Sequence, residues 1–210
     1  DYADVRIVER QVQDLWVKNG RPERIGTVEE LGLSVRVLSG GAWGLAAARD
    51  LRDDAVRATV ARALEIAQAS ACVQTGGTWL PPRPAQTGSS ATEMAQDPFA
   101  VPPAQRLALL LSCCEVMQRW PAVRVAQAHM NLFREHKWFA SSEGSQLEQV
   151  IVENGGGTMA TAVGQDGVFQ RRSFENHAQG GYEFLLSLNL PAQAERCAAE
   201  AEALLQAPAC

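Results

Sequence analysis

The sequence predicts an α+β fold: antiparallel sheets with helices on one face, built as two related halves, each a β-meander followed by a helix. Three observations predict it. Apolar residues alternate with polar ones near the start of the chain and again after Pro121. Three other segments place apolar residues at helical spacing instead. The order runs strands then helix, twice, with a further helix between, which suits helices packed on antiparallel sheets.

The first strand carries Val5 and Ile7, then Val12, Leu15 and Val17, with a parity change that suggests a bulge. Leu33, Val35 and Val37 alternate with Ser34 and Arg36, Ser39-Gly40-Gly41 reads as a hairpin turn, and Trp43, Leu45 and Ala47 continue as the returning strand. A helix follows. Asp53 suits its N-cap, because a carboxylate accepts from free backbone N–H groups, and Val56, Thr59, Val60, Ala63, Leu64 and Ala67 form one apolar stripe.

Thr75 to Pro103 is rich in proline and glycine and reads as a long irregular connection, a surface loop or linker. A second helix opens at Pro103. Leu107, Leu110, Leu111, Cys114 and Met117 form its buried face, and Trp120-Pro121 ends it.

The second half then repeats the first. Val123-Arg124-Val125 mirrors Val5-Arg6-Ile7, and Leu147 to Val152 mirrors Leu31 to Val37. Asn154-Gly155-Gly156-Gly157 stands where the Gly-Gly turn stood, Met159 to Val163 is the returning strand, and Val168 to Phe174 is an extra strand after Asp166-Gly167. A last helix opens near Pro191, with Ala194, Cys197, Ala198, Ala201, Leu204 and Leu205 on one side. The organisation is therefore residues 1–74 (first meander and helix), 75–103 (loop or linker) and 104–210 (helix, second meander and C-terminal helix).

A net charge of −5 gives no electrostatic footprint for nucleic acid. No apolar run reaches membrane-spanning length and no signal peptide opens the chain, so a cytoplasmic protein with neither nucleic-acid nor membrane partners is expected. The opening Asp1 and the closing Ala-Pro-Ala-Cys read as cut rather than native ends. Cys72, Cys113, Cys114, Cys197 and Cys210 form an odd, scattered set and are expected as reduced thiols, with Cys113 and Cys114 packing residues.

The sequence offers no catalytic, cofactor-binding or metal-binding residue. His129 and His136 are seven apart in a strand-like region, which places them on opposite faces, and Glu135 beside His136 does not complete a zinc site. Of His129, His136 and His177, no two imidazoles are expected on a common ion with a carboxylate alongside. His129 is in phase with Gln127 and Asn131 on a polar strand face, either plain surface or a peptide-contacting wall. The glycine runs read as turns, because neither has the Lys-Ser/Thr ending of a phosphate loop. Serine-hydrolase chemistry has no Gly-x-Ser-x-Gly elbow to support it. Arg171-Arg172 reads as a solvated hairpin face, and the five tryptophans as core or edge packing.

Several stretches together resemble one family. They are Tyr2-Ala3-Asp4-Val5-Arg6, opening a strand that runs to Gly20, then Glu30 to Gly40 (ELGLSVRVLSG), Trp43-Gly44-Leu45-Ala46, and Gly180-Gly181-Tyr182-Glu183-Phe184 ahead of an Ala-rich helix. In order and spacing they are similar to the N-terminal domain of the TldD/PmbA family, also called modulators of DNA gyrase, with Gly-Tyr-Glu-Phe favouring the TldD type. The resemblance implies a zinc metallopeptidase acting on unfolded peptides, paired with a TldE/PmbA-type or identical subunit. It implies a zinc-activated water attacking a peptide carbonyl, with the metal on a His-Glu-x-x-x-His helix of a further, catalytic domain. No stretch of this sequence matches that helix, so the chain is expected to hold no cofactor, to be inactive alone, to dock a subunit and to wall the substrate cavity. A free-standing peptide- or protein-binding adaptor without hydrolase activity is the competing reading, and an independent hydrolase a third.

Overall fold

A computed structural model describes residues 1–207, so Cys210 lies outside the described residues. The elements are β1 (Tyr2–Lys18), β2 (Arg21–Ser39), β3 (Ala42–Ala48), α1 (Asp53–Ala71), β4 (Thr87–Ala91), α2 (Pro103–Gln118), β5 (Val123–Ser141), β6 (Gln146–Val163), β7 (Phe169–Gln179), α3 (Tyr182–Ser187) and α4 (Leu190–Leu205). The α+β class therefore holds. The strands pair in the order β3-β2-β1-β5-β6-β4, with β7 also on β6. Antiparallel pairing dominates, and the short β4 is parallel to β6.

Turn chemistry sets the meanders. Asn19 and Gly20 take φ of 49° and 71°, and Gly40 and Gly41 take 59° and 80°, the left-handed pairs that two-residue hairpins need. The expected turn at Gly155–Gly157 is absent: all three glycines lie inside the continuous strand β6, and the chain reverses at Gly164–Val168 instead. The strand expected as an extra is thus β7, the counterpart of β3. β2 also begins at Arg21, far ahead of the Leu33 alternation, because its first half is exposed and carries no apolar pattern.

The chain divides into two compact units. The first comprises Asp1–Arg10, Glu29–Ala91 and Glu135–Ile151. Its core is Leu33, Val35 and Val37 of β2 against Ala63 and Ala67 of α1. Register places Gly44, Ala46 and Ala48 beside those β2 residues. A β-carbon on Gly44 would overlap the Ala63 carbonyl oxygen, so this glycine sets how close α1 can lie. Ala42 and Gly44 consequently turn inward, and Leu45 is 57% exposed. The α1 stripe is narrower than its periodicity suggests, since Val60 and Leu64 are exposed and only Thr59, Ala63 and Ala67 are buried. Asp53 is the first helical residue rather than the cap. Arg52 holds the cap position without a side-chain bond, and Asp53 with Asp54 instead complements the helix dipole. On β1, Asp4 is buried and accepts two hydrogen bonds from Arg36 Nε and one from Nη2, the shortest at 2.6 Å.

The second unit comprises Gln11–Val28, Thr92–Arg134 and the chain from Val152 onward. Here Leu15 and Val17 of β1, Ala126 to Leu132 of β5 and Ala160 and Ala162 of β6 meet Leu110, Cys113, Cys114 and Met117 of α2 and Ala194, Cys197, Ala198 and Ala201 of α4. Polar residues enter this core too, the largest being Arg106 on α2, which is 1% exposed and donates to Gln13 Oε1 at 2.8 Å. The Gly180–Phe184 stretch is a joint. Glu183 accepts from the N–H groups of Ala95 and Gln96, both at 3.0 Å, Tyr182 N–H donates to Gln96 O, and Asn154 Nδ2 donates to the Gly180 and Gly181 carbonyls. No helix among the described residues is long and apolar enough to cross a membrane.

Candidate functional site

The sheet of the second unit has one face covered by helices and one open face. Alternation along β1 turns Leu15 and Val17 inward, which leaves Asp14 and Trp16 on the open side. On β5, Ala126, Ala128, Met130 and Leu132 point to the core, so Gln127, His129 and Asn131 share the open face, as their phase predicts. On β7, His177 pairs in register with Gly155 of β6, and Glu175 with Gly157.

This register brings together residues that the sequence keeps 46 positions apart. His129 Nε2 lies 3.3 Å from Glu175 Oε1. His177 Nδ1 lies 3.7 Å from the same oxygen. One ligand atom from each of the three lies within 4.8 Å of the others. Two imidazoles thus meet beside a carboxylate, an arrangement that the spacing of His129 and His136 does not foretell. His129 and His136 lie on one strand, β5, whereas His177 comes near His129 only because β7 pairs with β6, the neighbour of β5. His136 belongs to the first unit, where its Nε2 sits 2.6 Å from Glu148 Oε1 and its ring stacks on Trp138 at 3.6 Å. Glu135 is engaged by Arg10 at 2.7 Å and Lys137 at 3.0 Å, and the Arg10 hydrogen bond holds its carboxyl below the usual range.

The glycines explain how the cluster closes. β6 lies between β5 and β7, whose backbones are therefore two strand spacings apart, roughly 9.5 Å. A β-carbon on Gly157 would stand 2.8 Å from His129 Cε1, and one on Gly155 would collide with the His177 ring. Neither glycine has positive φ. Their missing side chains, not turn geometry, are what the position uses. Trp16 lies against the other side of His129, ring centroids 4.3 Å apart and planes 12° from parallel. Burial lowers the His129 pKa from its usual value, against the opposing pull of Glu175. Beside the cluster, Asp14 accepts from Asn131 Nδ2 at 2.6 Å and meets Arg24 at 3.1 Å.

The remaining sequence candidates have structural partners. Arg172 reaches Glu200 at 3.5 Å. Cys113, Cys114 and Cys197 are buried and Cys72 exposed, all four free. Burial pushes the Cys113 thiol up to about 12, which removes it as a nucleophile.

An α+β domain of paired meanders with helices on one face is the class that the fold defines. Residues 3–67 match the model of the PmbA/TldA metallopeptidase family, domain 1. Among solved structures, a protein described as a modulator of DNA gyrase from Thermotoga maritima superimposes with a TM-score of 0.73 at 15% identity, over 94% of this chain and 44% of that one. A second so described, from Bacteroides thetaiotaomicron, gives 0.75 at 13% identity over 94% and 45%. TldE from Thermococcus kodakarensis gives 0.65 at 11% identity over 96% and 44%. No curated protein sequence matches the chain. Residues 3–67 are thus similar to the first domain of that family, and the chain as a whole, spanning less than half the length of these solved proteins, shares their fold.

Proposed function

We propose that the chain serves as the non-catalytic N-terminal part of a TldD-like zinc metallopeptidase acting on unfolded peptides, where it docks a PmbA-type or identical subunit and walls the cavity that the peptide enters. The observation that carries this reading is the extent of the likeness. The family's first domain accounts for residues 3–67, and the shared fold takes in 94–96% of this chain while filling only 44–45% of each relative.

The family's zinc does not fit the residues present. His129 and His136 lie on β5 and His177 on β7, so none stands on a His-Glu-x-x-x-His helix. The first unit supports a walling role. Its groove of about 570 Å³ is lined by Arg6, Arg10, Glu30, Leu31, Leu33 and Ala48 among others, a mixture of apolar and charged side chains. Beside it, β3 ends the strand order, and an extended peptide can add its backbone to such an edge.

The test mixes the 210-residue chain with a PmbA-type subunit and with a fluorescent, reduced and alkylated peptide. Light scattering is expected to show a complex with that subunit or with a second copy, and electrophoresis an uncleaved peptide when the chain acts alone. A chain that stays monomeric in every mixture, or that cuts the peptide unaided, defeats the proposal. Peptide capture without subunit pairing selects the adaptor reading instead.

A further inference from the structure

The open face of the second unit gathers two imidazoles and a carboxylate that the peptidase reading leaves unused. We infer that His129, Glu175 and His177 bind one divalent transition-metal ion, zinc foremost, clamping β5 to β7 across the glycine gap in β6. The inference does not rest on the peptidase reading.

The donor geometry fits. A tetrahedral zinc with bonds of about 2.0–2.2 Å holds its donors roughly 3.4 Å apart. Glu175 Oε1 stands 3.3 Å from His129 Nε2 and 3.7 Å from His177 Nδ1. The remaining imidazole separation, within 4.8 Å, closes by rotation of the exposed His177 side chain. Two nitrogens and one oxygen suit zinc, nickel or copper over calcium or magnesium, which take oxygen ligands. Water fills the fourth position.

A second observation points the same way. Glycine in mid-strand weakens a sheet and needs a reason. At Gly155 and Gly157 a methyl group would strike an imidazole ring as well as the backbone carbonyl oxygen of Asn176 or Phe174, so the rings can lie over β6 only where both positions are bare. The stacked Trp16 restrains the plane of the His129 ring. The rival pair His136–Glu148 lacks a third donor among the described residues.

The test is zinc binding by the whole chain, measured by calorimetry after chelator treatment, in a Cys72→Ser/Cys210→Ser background that leaves only the three buried thiols. One zinc per chain is expected, with a Kd on the order of 10 µM or tighter. His177→Ala and Glu175→Gln should each weaken it about 10–100-fold, whereas His136→Ala should leave it unchanged. His177 and Glu175 are exposed, so both variants should keep the parent circular dichroism spectrum. Cobalt should give visible absorption bands that vanish in His177→Ala. Copper should quench fluorescence, and less so in Trp16→Phe. The inference is overturned by the absence of saturable uptake up to about 1 mM zinc, or by uptake that survives His177→Ala and Glu175→Gln together.

Discussion

His129 and Gly157 stand on neighbouring strands with no room between them: a β-carbon on Gly157 would lie 2.8 Å from His129 Cε1. The glycine lets an imidazole from β5 lean over β6 towards Glu175 on β7, so the absence of a side chain at one position decides the contact made at another.

Gly157→Ala should therefore act on both stability and site geometry. Its methyl group would meet Phe174 O at 2.5 Å as well as His129. Overpacking of this kind costs about 1–3 kcal/mol. Urea unfolding should register that loss, and proton NMR should show the His129 ring resonances moving away from the ring-current field of Trp16. An unchanged midpoint with unchanged shifts would mean that the glycine does not govern the ring.

The pH dependence has a definite sign. Burial holds the His129 pKa below its usual 6.5, while Glu175 on β7 and Asp14 on β1 pull it up and His177 on β7 pushes it down. The unfolded chain thus takes the proton first. Stability from this residue is complete above about pH 6.5, falls as the pH drops towards the folded-state midpoint, and is level below it. An NMR titration of metal-free protein should place the His129 midpoint under 6.5. His129→Gln should flatten this part of the stability profile. A midpoint at or above the usual value contradicts the burial.

Thiol labelling should separate the cysteines by depth. In native protein Cys72 should react with an aromatic disulfide reagent, while Cys113, Cys114 and Cys197 stay protected until denaturant opens the helices that bury them. In a Cys72→Ser/Cys210→Ser variant, fast labelling should fall to near zero and three thiols should appear on unfolding. Prompt native reaction of any of those three would contradict the packing of α2 and α4.

Asp4→Ala tests the first unit. Asp4 has a side chain fully removed from solvent and is held by Arg36 and Arg6. Arg36 keeps 39% of its side chain exposed, so it regains water when its partner is lost. The expected cost is about 1–3 kcal/mol, read as a lower denaturation midpoint with the slope preserved. A loss within experimental error would show that the pair contributes only what an exposed ion pair does.

Periodicity made much of the architecture legible. The Leu33–Val37 alternation, the stripe from Leu110 to Met117 and the small-residue face from Ala194 to Ala201 all reach a core as they should. Where the pattern misled, a neighbouring element had overridden it. Leu45 reads as an inward strand residue, but α1 packs on the Gly44 face, and the helix chose the side. The Asn19-Gly20 pair was a readable hairpin signal for the start of β2, whose exposed half has no alternation of its own.

The sequence by itself determined the α+β class, the helices α1, α2 and α4 and the polar phase of His129 with Gln127 and Asn131, because these follow from short-range spacing and backbone preference. Only the tertiary structure decided that Gly155–Gly157 is the floor of a cluster rather than a turn, and that His129 meets Glu175 and His177. Strand alternation reports which side a residue faces. It does not report which distant strand lies alongside, since that register is set by long-range pairing across the sheet.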